Sequence, residues 1–319
     1  MAKAVWWRSW SRSWRRCWEK RRRYFCPVAL WGSKPPCGCT QTAAAGGGVF
    51  HPYCHLDWHE ERGYERLQGL HGIPAGRLEA PLSLDSLERV AEWPAALLLE
   101  LPQRNLGGTL PTWPELTAEV AWARRRGAAV HLDGARLWEA LPFYGRPAAE
   151  VAAMFDTVSV SFYKGLGGIA GSAVAGAADI VAEVARWRTR HGGRLVALWP
   201  LAAAARTALA RRLPRIPRYW AHAQAVAAAL AGLAGVEVLP SAPVSPMMHL
   251  VVPATAEELA KRAAGLAERE GVWTAAQLFA SDTPHRQRLE LTVGDATLDF
   301  APAEVRGLVA QLAGLPPDA

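Results

Sequence analysis

Lys164 stands where few cations stand. The alternating run Thr157-Val158-Ser159-Val160-Ser161 reads as a buried strand that stops at Phe162 and Tyr163; after Lys164 come glycines at 165, 167, 168 and 171. Desolvation at the end of a buried strand lowers an amine's pKa and frees its lone pair. A neutral amine beside room for a flat ligand is what carbonyl-condensing chemistry needs. A lysine that snorkels out of a loop is the plainer account of the same residues.

A second stretch, Ala128 to Trp138, adds weight to the chemical account. Ala128 to Leu132 is another short apolar strand, with His131, Asp133 and Arg136 at its end. In parallel α/β sheets, ligands bind at the carboxyl ends of the strands. An aspartate there can pair with a protonated ring nitrogen, and an arginine three residues on can grip a carboxylate with two prongs. His-x-Asp-x-x-Arg alone is a weak signal. Asp-Gly-Ala-Arg followed some thirty residues later by a strand and Lys-Gly-Leu-Gly is far more specific.

These motifs resemble the low-specificity L-threonine aldolase family, within the β-eliminating lyase group of fold-type-I pyridoxal-phosphate enzymes. The resemblance is carried by His131-Leu132-Asp133-Gly134-Ala135-Arg136 and Lys164-Gly165-Leu166-Gly167. Upstream it continues in Glu100 with Gly107-Gly108, and in His55 and Glu60 as a His-x4-Glu pattern. It runs from about Val49 to the C-terminus. It departs at Tyr163, where the family usually has Ser, and at Leu101 and Gln103, which replace Asn and His. Those departures bear on substrate preference more than on cofactor use.

The resemblance implies an α/β fold of the fold-type-I transferase kind: a mainly parallel sheet covered by helices, with a small C-terminal α+β domain. It implies pyridoxal 5'-phosphate held by Lys164, with Asp133 on the pyridine nitrogen and His55 stacked on the ring, where it could also act as a base. Arg136 would bind the cofactor's phenolic oxygen or the substrate carboxylate, and Arg288 would help with the carboxylate. The implied reaction is aldol cleavage of a β-hydroxy α-amino acid, for threonine giving glycine and acetaldehyde. The rivals are another fold-type-I lyase or an aminotransferase, and a cofactor-free remnant of the fold. The resemblance also implies that a cation near Gly192-Gly193, among Arg186, Arg188 and Arg190, reaches a phosphate or carboxylate. The residues alone leave plainer roles open: His55 as a surface histidine beside His51 and His59, Arg288 as an edge-strand cation, and those arginines as a solvated helix end. His51, His55 and His59 lack acidic ligands at metal-binding spacing, so no metal is expected.

Around these residues the chain divides by composition. Of its 319 residues half are hydrophobic, and no run of 18 apolar residues marks a transmembrane helix. Residues 1–48 hold ten Lys and Arg against Glu19 alone, a net +9, so within the formal +7 the remainder nets −2. Cys17, Cys26, Cys37 and Cys39 fall in the same segment and only Cys54 follows, so the rest reads as cytoplasmic and disulfide-free. A small-molecule amino acid substrate and a homodimer or homotetramer are expected, with no nucleic acid and no membrane as partners.

Residues 1–48 need an account of their own. Trp6, Trp7, Trp10, Trp14, Trp18 and Trp31 lie among arginines and serines without helical or strand periodicity. A basic segment with interleaved aromatics could bind nucleic acid by phosphate contact and stacking, and an Arg- and Ser-rich leader could be a transit peptide. A zinc site does not fit the cysteine spacing, and Arg15-Arg16 lacks the apolar stretch of a twin-arginine signal. A reading one base out of frame explains more. Tryptophan (TGG) and cysteine (TGT or TGC) then become NTG, which encodes Leu, Val or Met. Shifted in this way, Trp14 to Tyr24 can read Leu-Ala-Ala-Leu-Leu-Gly-Lys-Glu-Ala-Ala-Val, and Cys26 to Gly32 can read Leu-Pro-Ser-Gly-Thr-Met-Gly. Such strings resemble consecutive N-terminal motifs of the aldolase family, whose Ser-Gly-Thr cradles the cofactor phosphate at a helix N-terminus. On this reading 1–48 is a non-native segment, 49–214 a large cofactor-binding domain lacking its phosphate loop, and 215–319 the small C-terminal domain.

The remaining elements follow from pattern. Strands are expected at Ala95 to Leu101, Val236 to Leu239, Met247 to Val252 and Arg288 to Val293. Helices are expected at Leu116 to Arg126, stopped by Gly127, and at Ala177 to Arg190, Leu201 to Leu213, Tyr219 to Leu233, Ala254 to Glu270 and Ala303 to Leu312. Pro214 and Pro217 mark the break between domains.

Overall fold

A computed structural model of the chain describes residues 47–274 and 283–318, and the backbone alone of 22–26 and 278–279. Of what is expected for residues 1–48, everything else lies outside the described residues. The chain forms two compact units, divided after Pro214. The short segment Arg104–Thr109 belongs to the second unit, a discontinuity that no composition shift announces.

The first unit is built on a seven-stranded sheet. Its strands are β1 (Arg22–Cys26), β2 (Gly48–Phe50), β3 (Gly72–Pro74), β4 (Ala96–Glu100), β5 (Ala129–Gly134), β6 (Thr157–Ser161) and β7 (Ser172–Gly176). They lie in the order β1-β7-β6-β5-β4-β2-β3. β3, β2, β4, β5 and β6 are mutually parallel, whereas β7 runs antiparallel to both β6 and β1. The central strands are buried on both faces: Leu97, Val130, Leu132, Val158 and Val160 are almost fully enclosed, and so are His131 and Thr157, which alternate with them on β5 and β6.

Its helices are α1 (His55–Trp58), α2 (Gly63–Arg66), α3 (Leu84–Glu88), α4 (Trp113–Arg125), α5 (Leu137–Tyr144), α6 (Ala148–Ala153), α7 (Ala178–Arg190) and α8 (Trp199–Arg212). α4 starts with a full capping box, Thr112 Oγ1 accepting the Glu115 N–H while Glu115 Oε2 accepts the Thr112 N–H. Gly127 closes it at φ +68°. α5, α6 and β7 are elements the sequence pattern does not declare. α5 contains Pro142 and still runs to Gly145, whose N–H closes it onto Leu141 and Pro142. β7 is a run of small residues with every position buried.

The second unit carries a four-stranded antiparallel sheet of β8 (Glu237–Leu239), β9 (Met247–Val252), β10 (Leu278–Phe279) and β11 (Gln287–Thr292), in the order β10-β11-β9-β8. The helices α9 (Ile216–Leu230), α10 (Ala256–Glu270) and α11 (Pro302–Ala313) share its core. On α9 that core takes Tyr219, Ala223, Val226, Ala227 and Leu230, one face at helical spacing. Segment Arg104–Thr109 is built into this unit: a Cβ on Gly107 would lie 2.1 Å from the Leu239 carbonyl oxygen, and Ser245 Oγ donates to the Gly108 carbonyl at 2.8 Å.

Candidate active site

The carboxyl ends of β4, β5 and β6 are in register. Glu100 lies across from Asp133, and Asp133 across from Ser159, so the residues that follow all emerge at one edge of the sheet. Asp133 is buried, and its Oδ1 accepts the Ala135 N–H at 3.0 Å. Among the described residues no cation pairs with it. A buried carboxyl group without a counter-charge suits a ligand that brings a protonated nitrogen.

His131, two residues earlier on the same face of β5, has a different task. Its Nδ1 meets Thr157 Oγ1 of β6 at 2.7 Å. Burial pushes its pKa down to about 4, with Asp133 only partly opposing. A neutral imidazole tying two strands together is therefore its role at neutral pH. Arg136, half-buried, occupies the N-cap position of α5.

Lys164 follows β6 by three residues and is half-buried. Its carbonyl accepts the Gly167 N–H at 2.7 Å, the Phe162 carbonyl accepts the Gly168 N–H at 2.7 Å, and the Phe162 N–H donates to the Gly171 carbonyl at 3.0 Å. Phe162 and Leu166 are buried and anchor the turn, whereas Tyr163 is 39% exposed. Gly167 is at φ +65°, a region open to glycine at little cost. Two charged residues that sequence reasoning did not single out stand against this turn. A Cβ on Gly165 would lie 2.0 Å from Glu139 Oε1, and one on Gly167 would lie 1.4 Å from Arg212 Nη1. The glycines themselves were the only sequence signal for them.

His55 opens α1. Its Nε2 lies 3.2 Å from Glu60 Oε1, and its backbone N–H donates to Glu100 Oε2 at 3.3 Å. The His-x4-Glu pattern is thus a real pair, and Glu100 ties it to the strand end beside Asp133. His51, by contrast, is buried and structural. Its Nδ1 accepts the Tyr53 N–H at 3.0 Å, which leaves Nε2 to donate to the carbonyls of Arg77 and Ala80 at 2.9 and 2.8 Å. Among the described residues no group of three or more His, Cys, Asp or Glu side chains could hold a metal ion.

On α7, Arg186 pairs with Glu183, and Arg190 lies 3.8 Å from Glu183 and over the Trp187 ring. Both are engaged on their own helix end. Arg288 stands in the second unit on β11, which is flanked by β10 and β9 and so is not an edge strand.

Fold and strand-end site together define a fold-type-I pyridoxal-phosphate enzyme architecture. The Beta-eliminating lyase family model matches residues 39–253, and the chain belongs to that family. It is 32% identical to an Exiguobacterium sp. 255-15 protein assigned as an aromatic amino acid beta-eliminating lyase/threonine aldolase, with a TM-score of 0.85 over 95% of this chain and 85% of that one. It is 30% identical to a protein from Listeria monocytogenes EGD-E assigned as an L-allo-threonine aldolase, with a TM-score of 0.83 over 95% of this chain and 84% of that one. Among curated relatives, low-specificity L-threonine aldolase 1 of Arabidopsis thaliana is 29% identical over 51% of this chain and 48% of its own. The Escherichia coli K12 low specificity L-threonine aldolase is 36% identical over 37% of this chain and 35% of its own. The chain therefore spans about half, or less, of the curated relatives it matches. At 17% identity, a structure of SPT with pyridoxal phosphate shares the fold, with a TM-score of 0.66 over 95% of this chain and 74% of that one.

Proposed function

We propose that this chain performs pyridoxal-phosphate-dependent aldol cleavage of a β-hydroxy α-amino acid, L-threonine or L-allo-threonine, to glycine and an aldehyde. The observation that carries the reading is the buried, cation-free carboxylate of Asp133 in register with the strand that leads into Lys164. It matches what the cofactor brings: a protonated ring nitrogen for Asp133 and a carbonyl carbon for the Lys164 amine. When bound, the cofactor supplies an electron sink for the pair released at Cα.

The chain's own residues do the rest. Asp133, fixed by the Ala135 N–H, holds the proton on the ring nitrogen. Lys164 would hold the cofactor through its amine. Arg136 would bind the cofactor's phenolic oxygen or the substrate carboxylate, and Arg288 would help with the carboxylate. With its Nε2–H given to Glu60, His55 keeps a lone pair on Nδ1, which can take the proton of the β-hydroxyl as the Cα–Cβ bond breaks. A proton returned to Cα completes glycine, and the aldehyde leaves.

The N-terminal reading belongs to the same proposal. β1 takes the sheet edge against β7, and in the shifted frame the sequence that follows it would read Ser-Gly-Thr, the triplet that resembles the family's phosphate cradle. Residues 49–214 and 215–319 are proposed as the large and small domains. A cytoplasmic location and a homodimer or homotetramer, without nucleic-acid or membrane partners, complete the proposal. Ile169, Leu195, Val196 and Trp199, exposed apolar residues of the first unit, support burial against a second copy. No helix among the described residues is long and apolar enough to cross a membrane.

The test is visible absorbance of the purified chain with added pyridoxal phosphate, before and after borohydride. A reducible band mapped to Lys164 and lost in Lys164→Ala is expected; a band that persists in that variant overturns the role of Lys164. The relatives' beta-eliminating lyase assignment favours β-elimination as the second reading. Products separate the two: glycine with aldehyde, or ammonia with a ketoacid.

A further inference from the structure

The turn after Lys164 is gripped from two sides by opposite charges. Glu139 reaches it from α5, six residues beyond Asp133, and Arg212 reaches it from the last turn of α8. At Gly165 an added Cβ would meet Glu139 Oε1 at 2.0 Å and Cδ at 2.7 Å; at Gly167 it would meet Arg212 Nη1 at 1.4 Å and Cζ at 2.5 Å. The carboxylate and the guanidinium thus occupy the places that side chains at 165 and 167 would take. Between them Leu166 is buried in the core. Glu139 is itself only 3% exposed, an expensive setting for a carboxylate that serves no purpose.

We propose that Glu139 and Arg212 are positioning residues for Lys164, clamping its turn at Gly165 and Gly167 and setting the electrostatic balance its amine meets. This rests on reading Lys164 as the cofactor-holding lysine. Such an amine must swing between its own linkage and the substrate's without losing aim, and small misplacements of a reacting group are costly in rate. The charges act with opposite sign. The carboxylate favours the ammonium form, the guanidinium favours the free amine, and together they hold the proton affinity between the two. The other titratable or charged side chains on β5, α5 and its N-cap, the turn and α8 are His131, Asp133, Arg136, Tyr144, Tyr163, Arg206 and Arg211. They are unchanged in every variant below.

The experiment is a titration of the lysines in the full chain, freed of any bound aldehyde with hydroxylamine and reductively methylated with 13C-formaldehyde. The Lys164 resonance is assigned by its loss in Lys164→Arg; Lys3, Lys20, Lys34 and Lys261 serve as internal references. Glu139→Gln should lower the Lys164 midpoint by about 1 pH unit, and Arg212→Gln should raise it by about as much. Arg212→Lys, which keeps the charge, should restore the wild-type value. Should Glu139→Gln not fold, Arg212→Gln and its lysine rescue decide alone. A Lys164 midpoint unmoved in folded variants overturns the proposal, because a merely structural brace would change thermal stability and leave the titration in place. The measurement needs no cofactor, so its failure is distinct from failure of the borohydride trap.

Discussion

The two units use charge in opposite ways. At the carboxyl ends of β5 and β6, Asp133, Arg136 and Lys164 lie past or at the end of a strand, next to glycines and a turn. In the middle of the small sheet, charge is enclosed and consumed. Arg104 Nε donates to Glu290 Oε2 at 2.6 Å, with both side chains about 85% buried or more. His249, across from Glu290, is pushed down to about 4 by burial and by Arg288, with Glu290 opposing and Arg104 adding to the depression. A polar residue enclosed within this sheet, as Glu290 and His249 are, serves the fold; Arg288, on the same strand as Glu290, is the exception proposed for a ligand. A polar residue that has just left its strand keeps an open side for a ligand.

Substitutions can break that contrast, and the largest effect is qualitative. Lys164→Ala should remove the reducible adduct entirely while leaving the thermal midpoint nearly unchanged. Glu290→Ala should do the reverse to its own unit. Removing one partner of a buried pair strands the other, at a cost of about 3–5 kcal/mol, read as a large drop in urea midpoint. Arg104→Met with Glu290→Leu should recover most of the loss, because two apolar groups leave no orphan charge. If Glu290→Ala unfolds nothing, the small-sheet charges are not structural and the contrast fails.

Between these extremes lies Glu119 on α4, 1% exposed, whose Oε1 has no hydrogen-bond partner among the described residues. Burial, helped by Glu115, raises its carboxyl pKa to about 8. The unfolded chain ionises this group near the ordinary value of about 4.5 and the folded chain does not. The contribution to stability is therefore fully present below pH 4.5 and is lost progressively as pH rises towards 8. The loss is on the order of a few kcal/mol. Glu119→Gln should remove that slope, so that urea midpoints at pH 5 and pH 8 differ less in the variant than in the parent. An identical slope in both would place the pH dependence elsewhere.

The strand ends proposed to carry the site were legible in sequence because each has a local signature: strand, aspartate, arginine; strand, lysine, glycines. Met247–Val252 likewise read correctly as a strand, and His55 and Glu60, singled out through the family resemblance, lie 3.2 Å apart. What stayed hidden depends on partners distant in the chain. Gly165 and Gly167 look like generic turn glycines until Glu139 and Arg212 arrive from other helices. α5 was masked by Pro142, and β7 by side chains too small to show a period. Arg104–Thr109 joins the second unit through Glu290, Leu239 and Ser245, none of them near it in sequence.

The smallest effect sharpens the comparison most directly, because it places one device in both units. Thr112 caps α4 in the first and Thr255 caps α10 in the second, each in a full capping box with a glutamate three residues on. In both, the backbone N–H of the threonine donates to that glutamate, at 2.7 and 2.8 Å. Thr112→Ala and Thr255→Ala should each cost about 1 kcal/mol. Followed by hydrogen exchange, Thr112→Ala should speed exchange in the amides of α4 and β5, and Thr255→Ala in those of α10 and β9. If each substitution loosens only its own unit, the two cooperate weakly and the buried charges of the small sheet stabilise that sheet alone. If either loosens both, the units unfold as one, and the cost of stranding Arg104 reaches the turn that carries Lys164.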